Sequence, residues 1–117
     1  MLTAMLQPPP VPAVVAPSAA RTPADQETLS DLAQALGRAH ALHRLCTGPA
    51  DDRWFGRMQR MLSVERPSPA LRRRLVESFN AGFAEASANY HACSEASESA
   101  LRDAAERGRG LAAGLVR

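Results

Sequence analysis

The placement of proline constrains this chain more than any other feature. Proline lacks the backbone donor and fixes φ, so it is tolerated at the first turn of a helix and breaks one further in. Of nine prolines in 117 residues, five stand at positions 8, 9, 10, 12 and 17, and the others are Pro23, Pro49, Pro67 and Pro69. The intervals after Pro23, after Pro49 and after Pro69 carry apolar residues at helical spacing. The prolines therefore divide the chain into a lead-in and a helical domain. Aromatic residues make up only 4% and isoleucine is absent, which excludes the aromatic and β-branched usage of a β-sandwich.

Met1–Ala20 carries no charged side chain. The lead-in, residues 1–21, is expected to be extended and disordered. It lacks the basic start of a signal peptide, and Pro8, Pro9 and Pro10 interrupt any apolar helix, so it reads either as a signal-peptide remnant or as a plain tail. The helical domain spans 22–117, a size at which one core is feasible but thin and a covalent staple helps.

Four helices are predicted. The first starts at Thr22-Pro23, with a threonine cap and Asp25 in its first turn, and stops at Gly48-Pro49. Leu29, Leu32, Ala33, Leu36, His40 and His43 share one face, with Cys46 beside it. Leu42 and Leu45 fall outside that arc, which implies that the helix end is covered on two sides. The second helix follows Asp51 and Asp52, placed well against its dipole. It carries a stripe of Trp54, Met58, Met61 and Leu62, with Phe55 at the edge and Glu65 on the stripe. Ser68-Pro69 opens the third, whose face is Leu71, Leu75, Phe79, Gly82, Phe83, Ala86, Tyr90 and Cys93. Gly82 costs about 1 kcal/mol against alanine within a helix, which implies close approach of another helix. The fourth runs from about Ser94 to Val116, with a stripe of Leu101, Ala104, Ala105, Gly108, Leu111, Ala112 and Leu115. Gly108, Gly110 and Gly114 weaken it. Short connections imply antiparallel neighbours and a compact all-α bundle.

All 14 basic residues are arginine, yet the net charge is only +2, too mild a balance to argue for nucleic acid. Arg53, Arg57 and Arg60, and the run Arg72–Arg74, read as solvated faces, since no aromatic residues are interleaved for base stacking. No apolar run approaches the roughly 18 residues of a membrane-spanning helix.

The polar residues on apolar faces are the candidates for function. Cys46 and Cys93 can meet as a disulfide, which by chain entropy stabilises by about 4 kcal/mol for a loop of this length, or remain buried thiols that pack as small apolar groups. His40, His43 and Cys46 recur every three residues, but His91 falls on the opposite side of its helix. The set reads as one core histidine and two solvated ones, with no metal. Glu65 must find a partner or neutralise, because isolated buried charge is costly; His40 and Arg74 are the candidates. No phosphate loop, G-x-S-x-G or H-E-x-x-H is present, and nothing in the sequence asks for a cofactor.

The residues Leu36-Gly37, His40, Leu42, Leu45-Cys46, Trp54, Met58, Glu65, Pro67, Arg74-Leu75, Phe79-Asn80, Gly82-Phe83, Tyr90 and Cys93 form a pattern. It resembles a family of small alphaproteobacterial proteins classed as a domain of unknown function, typically carrying a signal peptide and a proline-containing lead-in. The resemblance covers about residues 29–115. It implies export and a Cys46–Cys93 bridge, and it singles out His40, Glu65, Arg74 and Asn80 as a candidate polar site. His43 and His91 depart from it where arginine is usual, and Phe83 where tyrosine is common.

The expectation is therefore an antiparallel four-helix bundle with one disulfide, acting as a non-catalytic periplasmic accessory that meets a protein partner in envelope assembly or maintenance. One alternative is a small envelope enzyme or ligand binder, which requires His40, Glu65 and Arg74 to converge on a pocket. Another is a periplasmic stress chaperone, which requires acid-dependent exposure of apolar surface. A cytoplasmic location holds instead if no signal is cleaved.

Overall fold

The computed structural model describes residues 21–116, so the expectation of a disordered lead-in falls, apart from Arg21, outside the described residues. Helix α1 spans Pro23–Thr47, α2 Arg53–Glu65, α3 Pro69–Asn89 and α4 Glu95–Ala113, with no strand among the described residues. The Thr22 hydroxyl accepts from the Asp25 amide at 3.0 Å, and the Asp25 carboxylate accepts from the Thr22 amide at 3.3 Å. This reciprocal cap satisfies two of the orphan donors of the first turn. Gly48, at φ 103°, ends α1 with its amide donating to the Arg44 carbonyl. Ser68 caps α3, and Ser94 and Ser97 form a second reciprocal cap on α4.

Helix α1, about 37 Å long at 1.5 Å per residue, is the hub: α2, α3 and α4 pack chiefly against it. Its partnership with α3 is the most extensive. The cross-helix contacts Glu27–Arg74, Ser30–Ser78 and Arg38–Glu85 ascend together along both chains, so α1 and α3 run parallel. Contacts with α2 descend, from His43–Trp54 at one end to Arg21–Glu65 at the other. Those with α4 descend too, from the packing of Leu42 with Ala100 to the bond between Arg21 and Leu115. Consecutive helices are thus antiparallel, while the tightest pair is parallel.

Two glycines allow that pair to touch. A Cβ on Gly82 would overlap the Gln34 carbonyl, and one on Gly37 would overlap the Phe79 carbonyl, each well inside contact distance. The expected close approach at Gly82 is present, and Gly37 is its counterpart across the crossing.

The main core joins Leu29, Leu32, Ala33 and Leu36 of α1 to Met58 and Leu62 of α2, Leu71, Leu75 and Phe79 of α3, and Leu115. A second cluster at the other end gathers Ala41 and Leu42 with Ala86 and Ala100, flanked by Leu45, Phe83, Tyr90 and Leu101. Leu42 and Leu45 are covered as their off-face positions imply.

Three expectations need correction. Helix α3 stops at Asn89 and Tyr90 is extended, so Cys93 lies in the link to α4 and not on the apolar face. Cys46 and Cys93 are both exposed, so neither is a buried apolar filler; their sulfurs lie at disulfide bonding distance, with Cα atoms 4.9 Å apart. The lead-in's last residue, Arg21, extends its side chain to Glu65 and to the Leu115 carbonyl, which corrects the expectation of disorder at that one position.

Candidate binding groove

The residues expected to form one polar site sit in separate places. Glu65 is 6% exposed, and neither His40 nor Arg74 is its partner. Arg21 holds it instead, donating from Nε to Oε1 and from Nη2 to Oε2, each at 2.9 Å, while Nη1 donates to the Leu115 carbonyl at 2.7 Å. This two-pronged geometry suits the planar guanidinium. One side chain thereby ties the start of α1, the end of α2 and the end of α4. The hydrogen bond to Glu65 raises the Arg21 pKa against a smaller opposing effect of burial. Arg74 is exposed and pairs with Glu27. His40 lies about 20 Å further along α1 than Glu27 at 1.5 Å per residue, so it cannot share a pocket with Arg74.

His40 is half-buried among rings, with centroids at 5.4 Å from Phe83, 5.8 Å from Phe79 and 6.0 Å from Phe55. Burial lowers its pKa below the usual 6.5, with the neighbouring Arg44 adding to the effect. Asn80 is exposed and borders a small cavity of about 200 Å³ between α2 and α3, beside Phe55, Val76 and Phe79.

His43 is not solvated, as the sequence reading has it. Its Nδ1 accepts from Trp54 Nε1 at 2.9 Å, and Nε2 is 3.9 Å from an Asp51 carboxylate oxygen. With Nδ1 accepting, the neutral ring carries its proton on Nε2. His43 thus latches the α1–α2 turn. The Asp51 carboxylate also accepts from the Arg53 amide at 3.0 Å, which heads the causes that lower its pKa.

A more extended concave surface than the one beside Asn80 lies between α2 and α4. Both helices run antiparallel to α1 and therefore parallel to each other, leaving a trough along the α1 surface. Two adjoining cavities, about 530 and 270 Å³, share Leu32, Arg57, Met61 and Ala112. Leu29, Leu32 and Leu36 form the floor; Trp54, Met61 and Val64 form one wall, and Ala105, Gly108 and Ala112 the other. Val64 and Val116, two of the most exposed large apolar residues, stand on its border. From Trp54 to Val64 the trough follows about 15 Å of helix.

Arginines rim it. Arg57 lies over the Trp54 ring, 4.3 Å from its centroid. Arg57, Arg60 and Arg109 border the trough and have no acidic partner among the described residues, while Glu65 is already occupied by Arg21. Arg57 and Arg60, expected from the sequence to lie on a solvated face, border this trough instead, and the trough itself was not foreseen. One signal was available, since Trp54 and Arg57 are three apart on one helix and share a face.

The family model described as "Protein of unknown function (DUF2385)" matches residues 23–117. The chain is a member of that family. No curated protein and no solved structure matches it. Membership in the family covers all four helices, and hence both walls and the floor of the trough.

Proposed function

We propose that this DUF2385 protein is an exported, non-catalytic interaction module that serves envelope assembly or maintenance and engages a protein partner through the α2–α4 groove. The observation that carries this reading is the groove itself: an apolar floor, bordered by exposed valines and by arginines without acidic partners. Apolar surface gathered in one rimmed trough marks an interaction site more than scattered exposed residues do. The cysteine pair supports export, because disulfides persist in oxidising compartments and are rare in the cytosol. The side chains most suited to chemistry are committed to structure: both sulfurs face each other, and His43 spends its ring on Trp54 and Asp51. No described helix is long and apolar enough to cross a membrane.

Osmotic-shock fractionation combined with thiol alkylation tests export. The chain is expected among released periplasmic proteins, with Cys46 and Cys93 alkylating only after reduction. Retention in the cytosol with freely alkylating thiols would contradict export. Chemical crosslinking of the released fraction is expected to give an adduct of discrete mass, and a chain recovered alone under several crosslinkers would contradict a partner.

A further inference from the structure

We infer that the α2–α4 groove receives an α-helix of about three turns from a partner protein, with an apolar stripe seated on the floor and acidic residues along its flanks. This rests on the interaction-module reading and names the partner's chemistry.

The sign of the charge follows from the rim. Arg57, Arg60 and Arg109 stand on both walls with no acid within ion-pair distance among the described residues, and Glu65, the carboxylate that lines the trough, is taken by Arg21 on both oxygens. Juxtaposed opposite charges steer association and fix register, while a basic segment here would meet like charge.

The helical form follows from the walls. Both are helices whose backbone groups are already paired, so the trough presents side chains and no strand edge. An extended segment would lay its own amides and carbonyls unpaired against the apolar lining around Leu32, Leu36 and Met61, whereas a helix satisfies them internally. The larger of the two cavities is also open to solvent. A single acyl chain would keep much of its surface in water, unlike the enclosure of a small-ligand pocket.

The length follows from α2, which lines the trough for about 15 Å, or some ten residues of an opposed helix. The chain's own lead-in does not fit. Met1–Ala20 carries no charge to answer the arginines, and its prolines at 8, 9, 10, 12 and 17 break a helix.

Trp54 is the only tryptophan and lines the groove, so its emission reports occupancy. The probe is a 14-residue peptide with leucines at i, i+3, i+4 and i+7 and glutamates on the flanks. It is titrated against the full chain beside a twin with lysines for glutamates and a version broken by a central proline. The acidic helix is expected to bind saturably with a blue shift of Trp54 emission, and to weaken as salt is raised. The lysine twin and the proline version are each expected to bind at least tenfold more weakly. Arg60→Glu with Arg109→Glu is expected to cut affinity for the acidic helix at least tenfold while leaving the circular dichroism of the protein unchanged. Ala112→Phe, which fills the exposed trough without touching charge, is expected to do the same.

Equal binding of the glutamate and lysine peptides would overturn the charge argument, and undiminished binding of the proline version the helical one. A Trp54 shift with phosphatidylglycerol vesicles but with no peptide would assign the groove to lipid. A shift that follows protein concentration alone would assign it to a second copy. If the peptides fail while photocrosslinks from inside the groove still capture a partner, the interaction-module reading stands and only the acidic helix falls.

Discussion

Arg21 shows how much one side chain outside every predicted element can do. It satisfies both oxygens of a carboxylate that is 6% exposed, and it also fastens α4 through the Leu115 carbonyl. Arg21→Ala removes the partner of the buried Glu65 carboxyl, a loss of about 2–3 kcal/mol for a pair that keeps some solvent contact. Urea denaturation checks this, and the Arg21→Met, Glu65→Leu pair of changes is expected to recover most of the loss by removing both charges. That Glu65 needed a partner was legible from its place on an apolar stripe. The partner was not, because a residue before a helix cap has no periodicity to place it. His40 was legible as belonging to the apolar face of α1, where it sits half-buried among rings, and its environment sets a pH dependence. Its folded pKa lies below 6.5, so the unfolded chain binds the proton more readily. The stabilisation is complete above about pH 6.5 and is lost as pH falls toward the folded value. His40 is expected to titrate by NMR with a midpoint below 6.5, and His40→Phe to flatten the decline in thermal midpoint between pH 7 and 5.

Among the helices, the contact between α1 and α3 depends on two positions where nothing larger than hydrogen fits. Gly37→Ala or Gly82→Ala drives a methyl into opposing backbone, and each is expected to cost about 3 kcal/mol as the helices part. Gly56→Ala and Gly110→Ala meet open space on helices and are expected to stabilise by about 0.5–1 kcal/mol. Comparing chemical denaturation midpoints for the four variants separates packing from propensity. Helix starts were well read from the sequence, because Thr22, Ser68 and Ser94 are local signals with local consequences. The end of α3 was not. Apolar spacing continues through Tyr90 and Cys93, and no glycine or proline marks the stop. The Ser94 cap was the available signal, since a helix that starts there requires its predecessor to have ended and turned. The parallel direction of α1 and α3 follows from antiparallel neighbours, but that this pair packs most closely was hidden, because short loops do not say which non-consecutive helices touch.

At the scale of the whole molecule, a central helix with three others around it leaves gaps between those three, and the gap between α2 and α4 forms the groove. The Cys46–Cys93 pair ties the end of α1 to the α3–α4 link across 47 residues of sequence. Replacing both by serine is expected to cost about 4 kcal/mol on chain-entropy grounds, read as a lowered urea midpoint with the helical spectrum retained below it. The cysteine pair and the all-helical class were legible in the sequence. The groove was not, because its shape depends on which faces of α2 and α4 fail to meet. Arg57, Arg60 and Arg109 belong to different helices, and their common rim exists only once α2 and α4 lie side by side on α1.

The claim that this trough is the working surface is tested most directly by photocrosslinking in living cells. A photoreactive residue is placed in turn at Val64 and Ala112, which border the groove, and at Glu77, an exposed position on α3 outside it. The expected result is the same discrete adduct from Val64 and Ala112, none from Glu77, and loss of the adduct when Arg60→Glu and Arg109→Glu are added. Equal adducts from all three positions, or adducts from Glu77 alone, would contradict the account.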